Sequence, residues 1–496
     1  MPIPKEILAV ERPKNTIVYA YGKNKDKYAV KERTGCKYDN GRRIPVTGGT
    51  IGHIVDFKYI PIDEVSPVSF SSIDLKDWAN VSLCDSLFND IFNELLAIYN
   101  RSDALKIYNI AILRVCNPGI KDYELKEAYD TCFLSQLYPG IALSKNSVCK
   151  FLNDLGKSCS RIESFMKNRA DNVNIDHHLL VDGTLKSDES KVNSLSDFSR
   201  KAKTKGTRDI SVMFAFDLEK MEPVCSKCFP GNMLDITSYE SFIADNGIKK
   251  GIIVADKGIP ASAAKEQFDN NPDLHYLNPI KRNAKVIETY NLHQYEGVLA
   301  DREGILYRKI KCEKSNKWLY SFRDTNRASI EEKDYLRNAK RKGTYTDENY
   351  KIKQQSFGTV VLESDLDLSP ETAYKTYDSR WEIEVVMRFY KSACEFDETR
   401  VQDDYSVIAT EFCDFLSTVL TFRLINKFDS VSLLEDMPYK KVMSILRRAK
   451  KVKPSDGEWK LIKIAPSQLE VLEKLGLIEP KSKPKQRRGR PRKSNV

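Results

Sequence analysis

The chain has 496 residues, 41% hydrophobic and 30% charged, so it outgrows a single core, carries about three domains and is not disordered throughout. No run approaches the roughly 18 consecutive apolar residues of a membrane span, and Met1-Pro-Ile-Pro-Lys-Glu lacks the basic-then-apolar layout of a secretory leader; a soluble, intracellular protein is expected, with no membrane partner. The 11 scattered cysteines are odd in number and fit a reducing compartment, while eight of the ten excess positive charges lie in the last 16 residues and point to a polyanion, nucleic acid first.

Residues 1–71 alternate apolar and polar side chains, as in Ile17-Val-Tyr-Ala-Tyr, between turn signals such as Asp39-Asn40-Gly41; they predict a small β-rich region. From 72 to 172 the apolar spacing becomes three and four, which predicts a separate helical domain or half-domain. Within it, Leu125, Ala128, Tyr129, Cys132 and Phe133 form one stripe, Tyr138-Pro139-Gly140 breaks the chain, and Ser144 caps a second helix with Val148, Phe151, Leu152 and Leu155 inward, closing at Gly156. Lys145, Asn146 and Lys150 then lie outward near its start, where a helix-turn-helix presents side chains to the major groove. An ordinary capped helix hairpin has the same pattern.

Residues 173–289 alternate short apolar strands with helical pieces and predict an α/β layered domain. The strands are Leu179–Asp182, Ile210–Phe216, Pro223–Phe229 and Gly251–Asp256, and helices are expected over Ile236–Asn246 and Pro260–Asn270. Residues 290–368 read as a β-rich insertion around a charged helical piece near Ile330–Lys342. Ser369-Pro370-Glu371 starts a helical pattern that persists through Leu424 in a region running from 369 to 470. A basic tail, 471–496, ends the chain.

Three acids carry the chemistry this pattern suggests. Asp182 and Asp256 each end an apolar strand and are followed closely by glycine. A carboxylate there is costly unless paired, and two such strands side by side make a hard-oxygen site for Mg²⁺ or Mn²⁺; a strand-end Asp capping the next turn is the structural alternative. In Tyr377-Asp-Ser-Arg380-Trp-Glu-Ile-Glu384-Val-Val-Met-Arg-Phe-Tyr-Lys391, a helix would stack Tyr377, Glu384 and Lys391 on one stripe with Arg380 about 60° aside. That face suits phosphate, with the carboxylate free to join a metal site. A solvated face with an Arg380–Glu384 pair fits the same spacing.

Tyr377, Arg380, Glu384 and Lys391, together with Val-Asp182-Gly-Thr and Val-Ala-Asp256-Lys-Gly, resemble the YREK-signature group of DDE transposases of bacterial insertion sequences. Phe229-Pro-Gly-Asn232 is similar to that family's strand-then-turn segment, and the separations of 74 and 128 residues between the three acids are similar to members with a β-rich insertion. Lys257 stands where many relatives carry Arg, which keeps the charge but not a bidentate grip on phosphate. The resemblance implies a multidomain α/β chain whose RNase H-like core, a mixed sheet flanked by helices, is interrupted by the insertion. It implies that Asp182, Asp256 and Glu384 are catalytic and hold two Mg²⁺ ions, with Mn²⁺ as a substitute, and that Tyr377, Arg380, Lys391 and Lys257 contact DNA. It also implies that strands at the element's ends are hydrolysed and the freed 3′-hydroxyls moved into target DNA, with duplex DNA as partner and a homodimer on paired ends. A metal-dependent nuclease without strand transfer and a DNA-binding protein with a dead core are the alternatives.

Arg487-Arg488-Gly489-Arg490-Pro491-Arg492-Lys493 resembles an AT-hook, which would place Arg488, Arg490 and Arg492 in the minor groove of A·T tracts; a disordered basic tail contacting any phosphate backbone is the alternative. Cys225-x2-Cys228 lacks the second ligand pair of a zinc finger, and His177-His178 would point to opposite faces of a strand. No Gly-rich phosphate loop is present, so no nucleotide cofactor is expected.

Overall fold

A computed structural model describes residues 3–480 apart from 23–26, 40, 63–72, 189, 200–205, 234, 256–258, 314, 381–394, 397, 400 and 455–456. The chain divides into two units, residues 1–75 with Lys451–Leu461, and Lys76–Lys450 with the remainder. In the first, β1 (Thr16–Tyr21), β2 (Lys27–Asp39), β3 (Arg42–Val55) and β4 (Lys58–Pro61) form an antiparallel sheet in chain order. Val18, Val30 and Ile54 close over Ile7 as a small core. β1 pairs with β2 only up to Glu32 and β4 with β3 only from Gly52. Beyond them β2 and β3 run on as a two-stranded ribbon with Tyr38 74% exposed at its far end.

After β5 (Ile73–Asp77), the helices Ala79–Leu96, Arg101–Cys116, Leu125–Asp130, Leu134–Leu137, Lys145–Lys157 and Cys159–Asp171 follow. Asn100 caps the second of them by accepting the N–H of Asp103 at 3.0 Å. Ser144 sits at the N-cap of Lys145–Lys157 without making a side-chain cap bond, and the helix runs one residue past Gly156. Gly156 is required there: a Cβ would lie 1.8 Å from the carbonyl oxygen of Tyr405.

Among the described residues the large sheet has eleven strands and is mixed. They are β6 (His178–Asp188), β7 (Asp197–Phe198), β8 (Arg208–Asp217), β9 (Glu222–Pro230), β10 (Lys250–Ala255), β11 (Asp273–Ile280), β12 (Gly297–Val298), β13 (Ile305–Lys311), β14 (Trp318–Asp324), β15 (Thr359–Ser364) and β16 (Glu398–Thr399). β11, β10 and β6 are parallel neighbours at its centre, and β8 continues antiparallel beyond β6. β12 to β15 extend the same sheet from the other side, because β15 pairs antiparallel with β11 from Leu277↔Ser364 to Ile280↔Val361. Leu180, Val254, Leu277, Tyr320 and Leu362 share one core across these strands.

Against the sheet lies the helix Asp404–Ser430, which packs on β9 and on the helices Arg101–Cys116 and Lys145–Lys157. It is buried on all sides from Ala409 to Phe422, with Phe412, Phe415, Leu416 and Val419 inside. The expected single helical run from 369 to 424 is thus broken: β16 intervenes, and Asp403 starts a new helix by accepting the N–H of Ser406 at 3.0 Å. Among the described residues no helix is long and apolar enough to cross a membrane.

The helix Thr325–Lys342, between β14 and β15, opens on Asp324 and closes at Gly343, whose φ of 66° suits glycine. Its Glu331 takes both arms of Arg282 at 2.8 and 3.0 Å, Arg327 at 2.9 Å and the N–H of Gly358 at 2.9 Å. Burial alone would raise its carboxyl, but these donors hold it down at about 2. Since the folded value is depressed, its stabilisation is complete above the ordinary carboxylate range and drains away as pH falls toward 2. Glu331→Gln is expected to lower Tm at pH 6 and to flatten the loss of Tm between pH 5 and 3, measured by thermal melts across that range.

Candidate active site

Asp182 stands within β6, not at its end. The strand passes through Gly183 because β8 goes on pairing beside it, from Leu179↔Asp217 to Ser187↔Asp209. The Asp182 carboxylate is half-buried and accepts the N–H of Gly183 at 2.8 Å. On the other edge of β6, β10 runs parallel in a register that ends at Val181↔Ala255. Ala255 directly precedes Asp256, so the last paired positions of the two strands adjoin the two aspartates. Asp256 and Lys257 themselves lie outside the described residues.

The helix Pro370–Asp378 begins where the sequence signals it: Ser369 Oγ accepts the N–H of Thr372 at 3.0 Å. Ala373 and Tyr374 dock into the sheet core, Tyr374 edge-on to Phe322 at 5.0 Å. Thr376 meets the start of β6, with its Oγ1 3.3 Å from His178 Nε2. Tyr377 packs against the same core, and the guanidinium of Arg380 lies 5.6 Å from the centre of its ring. Asp378 pairs with Arg302 at 2.5 Å. Trp381, Glu384 and Lys391 lie outside the described residues, as does the helix expected to join them to Tyr377. After them the buried Phe396 leads to β16, which pairs parallel with Ser187 and Asp188. The chain therefore leaves the described residues near one end of β6 and re-enters near the other, with Asp182 between.

Two clusters tempt a metal assignment. His177, Asp217 and Glu219 bring ligand-type atoms within 4.8 Å of one another. Yet His177 is engaged on both ring nitrogens, by Asp217 at 2.7 Å and Asn174 at 3.1 Å, and His178 turns to Glu219 at 2.7 Å. The imidazoles serve as struts at the base of β6. On β9, burial pushes the Cys225 thiol up to about 12 and Cys228 well above its ordinary value, which disfavours the thiolate that zinc takes.

Lys145, Asn146 and Lys150 are exposed on the outer face of their helix, while Val148, Phe151, Leu152 and Leu155 are buried. Arg488, Arg490 and Arg492 lie outside the described residues. What the sequence reading missed is a knot of charge in the core: Lys186 with Glu411 and Asp414, and Arg114 with Asp414 and Asp122. Its signal was two acids, three residues apart, within the otherwise uncharged Ala409–Phe422.

Residues 175–407 match the family model described as a transposase DDE domain. The match supports a DDE transposase. It runs from just before β6 into the first turn of the helix Asp404–Ser430 and so takes in Asp182, Asp256, Tyr377, Arg380, Glu384 and Lys391. Among solved structures, the chain is similar to a piggyBac transposase described in a synaptic complex with hairpin DNA, at 12% identity and a TM-score of 0.39, over 75% of this chain and 80% of that one. No curated protein matches the chain.

Proposed function

We propose that the protein is the transposase of a bacterial insertion sequence of the YREK group, working in the cytoplasm at the nucleoid. It binds the element's ends, hydrolyses strands there and transfers the 3′-hydroxyl ends into target duplex DNA. The observation that carries this is the placing of Asp182 beside the end of the β6–β10 register, within the stretch that matches the transposase DDE domain. Parallel strands at the centre of a mixed sheet, with β8 antiparallel, are what an RNase H-like core requires.

In this reading Asp182, Asp256 and Glu384 hold two Mg²⁺ ions, or Mn²⁺ in their place. The fit is seen at Asp182, a half-buried carboxylate of hard oxygens on a strand whose neighbour leads to a second aspartate. When bound, the ions supply activation of the attacking oxygen and stabilisation of the leaving one. Tyr377, Arg380 and Lys391 orient the scissile phosphate, Lys257 adds charge beside it, and no side chain is needed as a nucleophile. In hydrolysis a water oxygen bonds to phosphorus as the P–O3′ bond breaks, which leaves a 5′-phosphate and a 3′-hydroxyl that takes up the proton. In the joining step that oxygen bonds to a target phosphorus while the target's own 3′-oxygen departs with the proton. Residues 173–289 and 369–470 supply the core, 290–368 the insertion and 1–71 the N-terminal region. The outer face of 72–172, through Lys145, Asn146 and Lys150, and the hook-like tail of 471–496, through Arg488, Arg490 and Arg492, add contacts to DNA. Two protomers act on paired ends.

The test is a Mg²⁺-dependent cleavage and joining assay on a plasmid carrying the DNA that flanks this gene, run beside Glu384→Gln. Cleavage at defined ends with joined products, lost in the variant, is the expected result. Cleavage without joining would reduce the protein to a nuclease, and binding without metal-dependent products to a DNA-binding relic.

A further inference from the structure

Lys186 lies four residues beyond Asp182 on the same face of β6 and is fully buried. Its ammonium donates to Glu411 Oε1 at 2.5 Å and to Asp414 Oδ2 at 3.0 Å, with the ring of Phe396 5.8 Å away. Thr399 Oγ1 donates to the same oxygen of Glu411 at 3.1 Å. Asp414 Oδ1 takes Arg114 at 2.8 Å, and Arg114 also reaches Asp122 at 3.0 Å and the carbonyl of Thr410 at 3.1 Å. The second oxygen of Glu411 is buried with no hydrogen-bond partner among the described residues.

Four pieces of chain meet at this knot: β6, the stretch that re-enters after residues 381–394, the helix Asp404–Ser430 and the helix Arg101–Cys116. Stability is a poor reason for it, because well-packed apolar side chains serve a core as well as buried ions do, or better. Direction is a better reason, since charged partners accept one register and an apolar core tolerates several. A slip of β16 along β6 would take Thr399 from Glu411.

We propose that Lys186 and Glu411 are positioning residues that lock the strand bearing Asp182 to Phe396, Thr399 and the helix Asp404–Ser430, so that the Asp182 carboxylate is held as a divalent cation demands. This rests on the transposase reading above. The test uses the full chain and a double variant, Lys186→Met with Glu411→Gln, which removes one charge of each sign and leaves Asp414 to Arg114. Mn²⁺ binding to the DNA-free protein is followed by electron paramagnetic resonance, with Asp182→Asn marking the site-specific part, and end cleavage is followed in parallel. The double variant is expected to melt cooperatively and bind end DNA as the wild type does, while its Mn²⁺ affinity falls by about 10-fold or more; Lys186→Arg should restore most of it. Should the double variant fail to fold, Glu411→Gln alone carries the same expectation. A wild type that cuts, beside a folded variant of unchanged Mn²⁺ affinity, overturns the proposal and spares the transposase reading. A wild type that neither cuts nor holds Mn²⁺ through Asp182 overturns both.

Discussion

Asp182→Asn is expected to lower the rate of end cleavage by about a thousandfold or more while leaving the fold and the affinity for end DNA unchanged. The amide keeps the size of the side chain and an oxygen able to accept the Gly183 N–H, which the carboxylate accepts at 2.8 Å. It loses the negative charge that a hard divalent ion requires. β6 is held by its backbone pairing with β8 and β10, which the side chain does not enter, so Tm should shift little. Single-turnover cleavage over a Mg²⁺ titration, with a melt and a binding isotherm on the same preparations, separates these effects. Full cleavage by the folded variant would remove Asp182 from the reaction.

Gly156→Ala is expected to destabilise the larger unit by about 3 kcal/mol and to lower Tm by at least several degrees in a scanning melt. The sign is informative, because alanine improves a helix interior over glycine by about 1 kcal/mol when nothing else intervenes. Here the new methyl carbon would lie 1.8 Å from the carbonyl oxygen of Tyr405 and 2.8 Å from its Cα. Both are backbone atoms in the first turn of the central helix, and no rotamer can clear them. Relief would require the helices Lys145–Lys157 and Asp404–Ser430 to part. An unchanged or raised Tm would mean that they do not meet in solution as described.

Much of the architecture was legible because it is local. Alternation and apolar runs located β6, β8, β9 and β10, and Ser369-Pro370 marked a helix start that the Thr372 bond confirms. Errors arose where a distant partner decides the outcome. Gly183 reads as a strand terminator, yet β8 carries β6 five residues further, to Asp188. The continuous periodicity after Ser369 concealed β16, whose two residues exist as strand only because Ser187 and Asp188 lie alongside. The charged knot was least legible of all: the spacing of Glu411 and Asp414 marks two buried acids, but not that Lys186 meets them across 225 and 228 residues. At the candidate site, residue types and their order were readable, while the parallel register that sets β6 beside β10 was not, because a linear pattern does not encode strand pairing.

Among the described residues the outer edges of the β2–β3 ribbon carry no further strand, and each is a template on which another chain could add one. Its residues guard against that. Register shifts interrupt the ladder between Val30 and Lys31, Lys31 and Arg33, and Arg33 and Gly35. Pro45 offers no N–H, and the exposed Arg33, Lys37, Arg42 and Arg43 repel a like-charged copy. These features disfavour addition of a further strand to the hairpin.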